Sequence, residues 1–256
     1  MTLINWDHTM INVPNLKESI DFFADEGIIY KLGGRHENWG TANALGYFGI
    51  NYIELINVFE QQKAGLVSRA SSAAVYDVVQ DFNQHKKRFN TVAIRTDDLE
   101  SIRQRLKLLG IAAGPILEGK RLNEKNQLIT WRIFFIDDDI DGLPYPFFID
   151  WENSDADRER QLVAQGLIQQ HPAGDLNVVK AVFEVSNPVQ VSQQWAKIIN
   201  STVIDDHGKF IVPIGEKAFE FIAGTANHLT TLHFSGAHAS KRQRTISFGE
   251  AQFIFD

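Results

Sequence analysis

A histidine at position 8, in the stretch HTMINV, and a glutamate at position 54, in NYIELINV, are the side chains of this sequence best placed to do chemistry. Each sits in a run where residues of different polarity take turns, the pattern of a half-buried strand. If Ile11 and Val13 pack under a helix, His8 points to the opposite face; if Ile53 and Leu55 do the same, Tyr52, Glu54 and Ile56 point there too. On the adjoining strand Ala42, Ala44 and Gly46 are small enough to lie against a helix, which turns Thr41, Asn43, Leu45 and Tyr47 the other way. One concave surface then gathers His8, Asn43, Tyr47, Tyr52 and Glu54. A carboxylate among apolar neighbours is costly unless it is paired, protonated or metal-bound. The residues alone leave three uses open for this pair: a mutual hydrogen bond, a bound ion, or transfer of a proton.

Two further features extend the candidate surface. The segment GGRHENWGT, residues 33–41, reads as a tight turn with solvated Arg35 and His36, as a core plug built on Trp39, or as a loop that closes over the cup. The third reading is favoured, because aromatic, cationic and imidazole groups beside a polar hollow suit recognition of a ligand better than packing. Arg132 lies inside the apolar run ITWRIFF and needs an anion, either a carboxylate such as Asp150 or an acidic group of a substrate. Other motifs fail. LEGKRL lacks the spacing of a phosphate-binding loop, no G-x-G-x-x-G or G-x-S-x-G is present, and DDDID lacks the glycine and terminal glutamate of a calcium loop.

The elements that must position these residues repeat. Strand His8–Val13, a helix N-capped by Asn15 and stopped by Gly27, and strands near residues 28–32, 41–48 and 51–58 form one unit. Sliding the sequence by about 83 residues lays NTVAIRTDDLESIRQRLKLLGI over DHTMINVPNLKESIDFFADEGI, so a second unit starts near residue 90, with later strands near 116–121, 128–136 and 145–152. A third begins at VVKAVFEVSNPVQVSQQWAKIIN and places Lys180 and Glu220 where His8 and Glu54 stand. A fourth, from HLTTLHFSG to the end, has largely lost its helix. The expected organisation is paired modules over residues 1–152 with a helical insertion at about 60–88, a connector at 153–175, and a third module plus a truncated fourth at 176–256. The fold class is α+β, with mixed, partly closed sheets and helices outside.

Composition narrows the functions. The 256 residues include no cysteine, which removes disulfides, thiolate metal sites and cysteine nucleophiles. A formal net charge of -7 disfavours nucleic acid as a partner. Without a run of roughly 18 apolar residues or a signal-like start, no membrane partner is expected and the cytoplasm is the expected location.

The order strand, helix and three strands, repeated in pairs, with histidine on the first strand and glutamate on the last, resembles the vicinal oxygen chelate superfamily. GGRHENWGTANALGYFGINYIELI is similar to its glyoxalase-like domain group, which carries a G-x-H-x-x-W-G-T-x-N stretch before a Y-[IL]-E-L strand. The resemblance implies a cup built from two modules that holds a small-molecule ligand and a divalent cation, magnesium, manganese, iron or zinc. Metal-binding members draw ligands from both modules. By the repeat alignment the second module offers Thr91 and Asp150, so the implied metal set is His8, Glu54 and Asp150, suited to magnesium or manganese; Thr91 is a poor ligand and leaves a metal-free cup as the other reading. The implied activity is that of a lyase, isomerase or oxygenase on a small oxygenated or anionic metabolite, with Glu54 and His36 as catalytic groups and Arg35, Trp39, Asn43, Tyr52 and Arg132 on the substrate. The alternative is a protein of the same fold that binds or sequesters a small ligand without turnover. The resemblance also admits a homodimer.

Overall fold

The alternation read in the N-terminal segment becomes strand β1 (Ile4–Asn12), and helix α1 (Leu16–Asp25) follows, its Asn15 side chain accepting a hydrogen bond from the Glu18 amide. The computed structural model describes residues 3–122 and 127–256. Strands β2 (Lys31–His36), β3 (Thr41–Phe48) and β4 (Asn51–Val58) complete the first βαβββ module. Helices α2 (Gln61–Ala64) and α3 (Ala73–Asn83) come next, where the apolar spacing of Val75, Val78 and Val79 predicts one helix. The second module consists of β5 (Phe89–Thr96), α4 (Leu99–Leu108), β6 (Leu117–Leu122), β7 (Leu128–Phe134) and β10 (Phe147–Asp150), interrupted by the small hairpin β8 (Asp139–Ile140) and β9 (Leu143–Pro144). Helix α5 (Asp155–Ala164) leads to the third module: β11 (Gly174–Val185), α6 (Pro188–Ile199), β12 (Ile204–Asp206), β13 (Lys209–Ile214) and β14 (Lys217–Ala223). Strands β15 (His228–Ala237), β16 (Thr245–Phe248) and β17 (Ala251–Phe255) follow with no helix between them.

The first two modules share one sheet in the order β2-β3-β4-β1-β5-β10-β7-β6. In each module the last strand lies parallel to the first, and the modules meet where β1 runs antiparallel to β5. The sheet curls until its edges nearly touch: the Arg121 guanidinium on β6 donates to the Gly33 carbonyl on β2. Gly34, at φ +145°, sits so close to the Leu122 carbonyl that a Cβ there would lie 2.4 Å from its oxygen, so only glycine allows this approach. The second sheet, β12-β13-β14-β11-β15-β17-β16, repeats the plan around the antiparallel pair β11 and β15.

The two sheets are joined back to back by one apolar cluster. Trp6 packs on Phe219 at 5.2 Å, Phe48 on Phe234 at 5.1 Å and Phe89 on Phe253 at 5.2 Å, while Phe23 of α1 sits against Phe248 and Phe253. This arrangement leaves the concave face of the first sheet free of the core, which is what a cup requires. Three local expectations change. The strand predicted at 28–32 begins at Lys31 instead, so His36 closes a strand rather than riding in a loop. The polar connector contains α5, which a sparse apolar stripe concealed because its buried residues are Arg158 and Leu162. In β1 the pairing with β5 shifts between Trp6 and His8, making Asp7 the extra residue of a bulge.

Candidate active site

The concave face encloses an inner cavity of about 50 Å³, bordered by His8, His36, Trp39, Asn43, Tyr52 and Glu54 of the first module and by Arg121, Trp131, Phe147 and Trp151 beyond it. Ala74 and Val75 of α3 also line it. His8 is the central group. Its Nδ1 lies 2.8 Å from Asp7 Oδ2, and its Nε2 lies 3.5 Å from Glu54 Oε2. The ring stacks on Tyr52 at 4.4 Å and meets the edge of Phe147 at 5.5 Å, contacts that fix its plane.

Asp7 is wholly buried. Burial opposes its ionisation, but Arg158, the hydrogen bond from His8 and Arg95 outweigh that penalty and hold its carboxyl far below the usual carboxylate range. Asp7 Oδ1 accepts from Arg95 Nη1 and Arg158 Nη1, each at 3.1 Å, and the Trp151 indole N–H donates to the same carboxylate at 3.2 Å. An ionised Asp7 accepts only, so Nδ1 of His8 carries the proton, and in the neutral ring Nε2 presents its lone pair to the cavity. Strict alternation hides Asp7 on the face opposite His8; the bulge brings the two together.

Glu54 Oε1 accepts a hydrogen bond of 2.6 Å from Asn43 Nδ2. Gly33 makes this contact possible, since a Cβ there would fall 2.3 Å from Asn43 Oδ1. His36 shares a 3.1 Å hydrogen bond with the Thr41 hydroxyl. Burial lowers its pKa to about 4, with Arg121 adding to the shift and Glu54 opposing it, so His36 is neutral near pH 7.

Of the residues singled out in the sequence, His8, His36, Trp39, Asn43, Tyr52 and Glu54 meet at this cavity, Tyr47 lines the neighbouring hollow instead, and Arg35, Arg132 and Asp150 border neither. Arg35 is outside, its guanidinium 4.7 Å above the Phe59 ring. Arg132 pairs with Glu100 of α4 on the helix side of the sheet. Asp150 lies outside too, accepting from the Glu152 amide, because Phe147 and Ile149 of β10 face the cavity and alternation turns Asp150 away. The register explains the difference. Met10 pairs with Glu54 in the first module and Ala93 with Phe147 in the second, so Phe147, not Asp150, occupies the position of Glu54. Thr91, at the position of His8, donates to the Tyr145 carbonyl. Sequence reasoning missed Asp7, Arg121, Trp131 and Phe147; the inward alternation of Leu117, Gly119 and Arg121 in LEGKRL was the available signal for Arg121.

Comparison with known families now decides the kinship: a glyoxalase-like domain model matches residues 6–199. The chain belongs to the glyoxalase-like domain family. It is thereby a member of the vicinal oxygen chelate superfamily. A solved structure of a hypothetical protein from Staphylococcus aureus is similar over 99% of both chains, at 22% identity and a TM-score of 0.88. The Mn(II)-bound glyoxalase from Novosphingobium aromaticivorans is similar over 92% of this chain and 66% of its own, at 13% identity and a TM-score of 0.50. Methylmalonyl-CoA epimerase from Mycobacterium tuberculosis matches 57% of this chain and 85% of its own, at 20% identity and a TM-score of 0.40. A search of curated proteins found no match.

The glyoxalase-like cup does not supply a paired-module metal set. His8 Nε2 and Glu54 Oε2 are close enough to share an ion, but the second module places Thr91 and the ring of Phe147 at the matching positions. Among the described residues no three histidine, aspartate or glutamate side chains are arranged to hold a metal. Two protein donors beside aromatic rings fall short of the three protein ligands that a catalytic zinc-type site uses. No helix among the described residues is long and apolar enough to cross a membrane.

Proposed function

We propose that this glyoxalase-like protein is an isomerase- or lyase-type enzyme that removes a proton from the carbon beside a carbonyl in a small oxygenated metabolite. The observation that carries the reading is the buried row Asp7, His8, Glu54, Asn43 opening on the inner cavity. His8 Nε2 takes the proton from carbon, and the C–H electron pair moves onto the carbonyl to leave an enolate oxygen. Asp7 and Glu54 flank the imidazole and stabilise the imidazolium that forms. Neutral His36 faces the same cavity. With Nδ1 accepting from the Thr41 hydroxyl, its Nε2–H donates to the developing oxyanion, and the Arg121 guanidinium adds positive charge there. Tyr52 and Phe147 keep water from the base. No step runs through a metal.

The test is hydrogen exchange. Small 2-hydroxyketones and 2-keto acids are incubated with the protein in D2O, and loss of the proton signal next to the carbonyl is followed by NMR. Exchange of at least one compound is expected, unchanged after chelator treatment and slowed about 10²- to 10⁴-fold by His8→Ala. Binding of a compound with no exchange by the wild-type protein would overturn this reading in favour of sequestration, which the aromatic lining of the cavity would then serve.

A further inference from the structure

Beyond the inner cavity lies a larger hollow of about 650 Å³, walled by β2, β3, β6, β7 and α5. Arg121 and Trp151 border both spaces, so the hollow adjoins the inner cavity. Its charged residues are Lys31, Arg121 and Arg158 against a single exposed carboxylate, Glu152.

The cations are unusual in what they touch. Lys31 Nζ donates to the Gly166 carbonyl and Arg121 to the Gly33 carbonyl; among the described residues neither is paired with a carboxylate. Arg158 is 5% exposed, and while its Nη1 binds Asp7, its Nη2 is buried with no acceptor among the described residues. A buried guanidinium N–H with no partner is costly, and one in the wall of a hollow invites an anionic acceptor. Trp151 holds Arg158 from one side, with the guanidinium 4.2 Å above its ring, so the fork is set before any ligand arrives. Leu45, Leu128, Ile129, Leu162 and Leu167 supply apolar walls between the charges.

We infer that the outer hollow is an anion subsite, and that the substrate carries a carboxylate or phosphate group joined by a short apolar stretch to the part that enters the inner cavity. This rests on the proposed reaction only for the word substrate; the anion subsite itself stands on Arg121, Arg158 and Lys31. Arg121 at the throat reads the anion on one side and the reacting oxygen on the other.

The experiment is calorimetric titration of the full chain with inorganic phosphate, with glutarate, and with dimethyl glutarate as the uncharged control. Glutarate or phosphate is expected to bind with an affinity that falls with added salt, and dimethyl glutarate at least tenfold more weakly; the better anion names the tail. Arg121→Gln and Lys31→Gln, checked for native fold by circular dichroism, each weaken the anion at least fivefold. His8→Ala retains the wild-type affinity, which separates this inference from the proton-transfer reading: anion binding by a wild-type protein that exchanges no compound supports the hollow alone. Equal affinity for the charged and uncharged probes, or wild-type anion binding in both Arg121→Gln and Lys31→Gln, overturns it.

Discussion

At the scale of single residues the site is a device for orienting one imidazole. Replacing Asp7 by Asn keeps its shape and removes its charge, leaving Arg95 and Arg158 buried beside a neutral amide. We expect stability to fall by about 3 to 5 kcal/mol, measured by urea unfolding, as for other broken buried pairs. We also expect the ¹⁵N shifts of the His8 ring to leave the Nδ1–H pattern and carbon-acid exchange to drop at least tenfold. His36 supplies a pH signature. Its folded pKa of about 4 lies below the ordinary 6.5, so between these values the unfolded chain binds the extra proton and stability is lost as pH falls; above 6.5 nothing is lost. Asp77 has the opposite sign in nearly the same window: burial, despite Arg69, raises its pKa to about 6, and its contribution weakens the fold as pH rises from about 4 to 6. His36→Gln should therefore gain relative stability toward pH 4, on the order of 3 kcal/mol against the wild type, when the two are unfolded side by side across this range. Alternation alone made His8, Asn43, Tyr52 and Glu54 legible as one face. It misled for Asp7 because a bulge breaks the period, and for Asp150 because the register of a short strand cannot be read from a repeat whose loops differ in length.

At the scale of elements, α5 is the piece the sequence concealed. It docks by charge: both Arg95 Nε and Nη2 reach the Asp155 carboxylate at 2.7 Å, and Arg158 reaches inward to Asp7. Since Gln161 and Leu162 of α5 and Gln165 at its C-terminal cap wall the outer hollow, its seating sets that chamber's width. Asp155→Ala should speed amide hydrogen exchange in residues 155–164 while β1 and β4 stay protected, at a cost of about 1 to 2 kcal/mol because Asp155 is partly exposed. Strands and the α1, α3, α4 and α6 helices were readable from periodic apolar positions, which is how packing energy writes itself into sequence. A helix held by arginines leaves no such stripe.

At the scale of the whole molecule, one cluster of aromatic and aliphatic side chains fastens the two sheets together. Phe253, fully buried among Phe23, Phe89 and Phe234, should cost about 3 to 5 kcal/mol when replaced by Ala, and near- and far-ultraviolet circular dichroism should still report a single coincident transition. A chain ending at residue 166 exposes Trp6, Phe48 and Phe89, and we expect it to bind a hydrophobic dye and fail to unfold cooperatively. The second sheet carries a different pair at the positions of His8 and Glu54. There Lys180 stands in register with His8 and Glu220 with Glu54, and the ammonium sits 2.9 Å from the carboxylate. The matching pair of the second sheet thus closes on itself as a direct ammonium–carboxylate contact, whereas in the first sheet the imidazole and the carboxylate stand farther apart and border an open cavity.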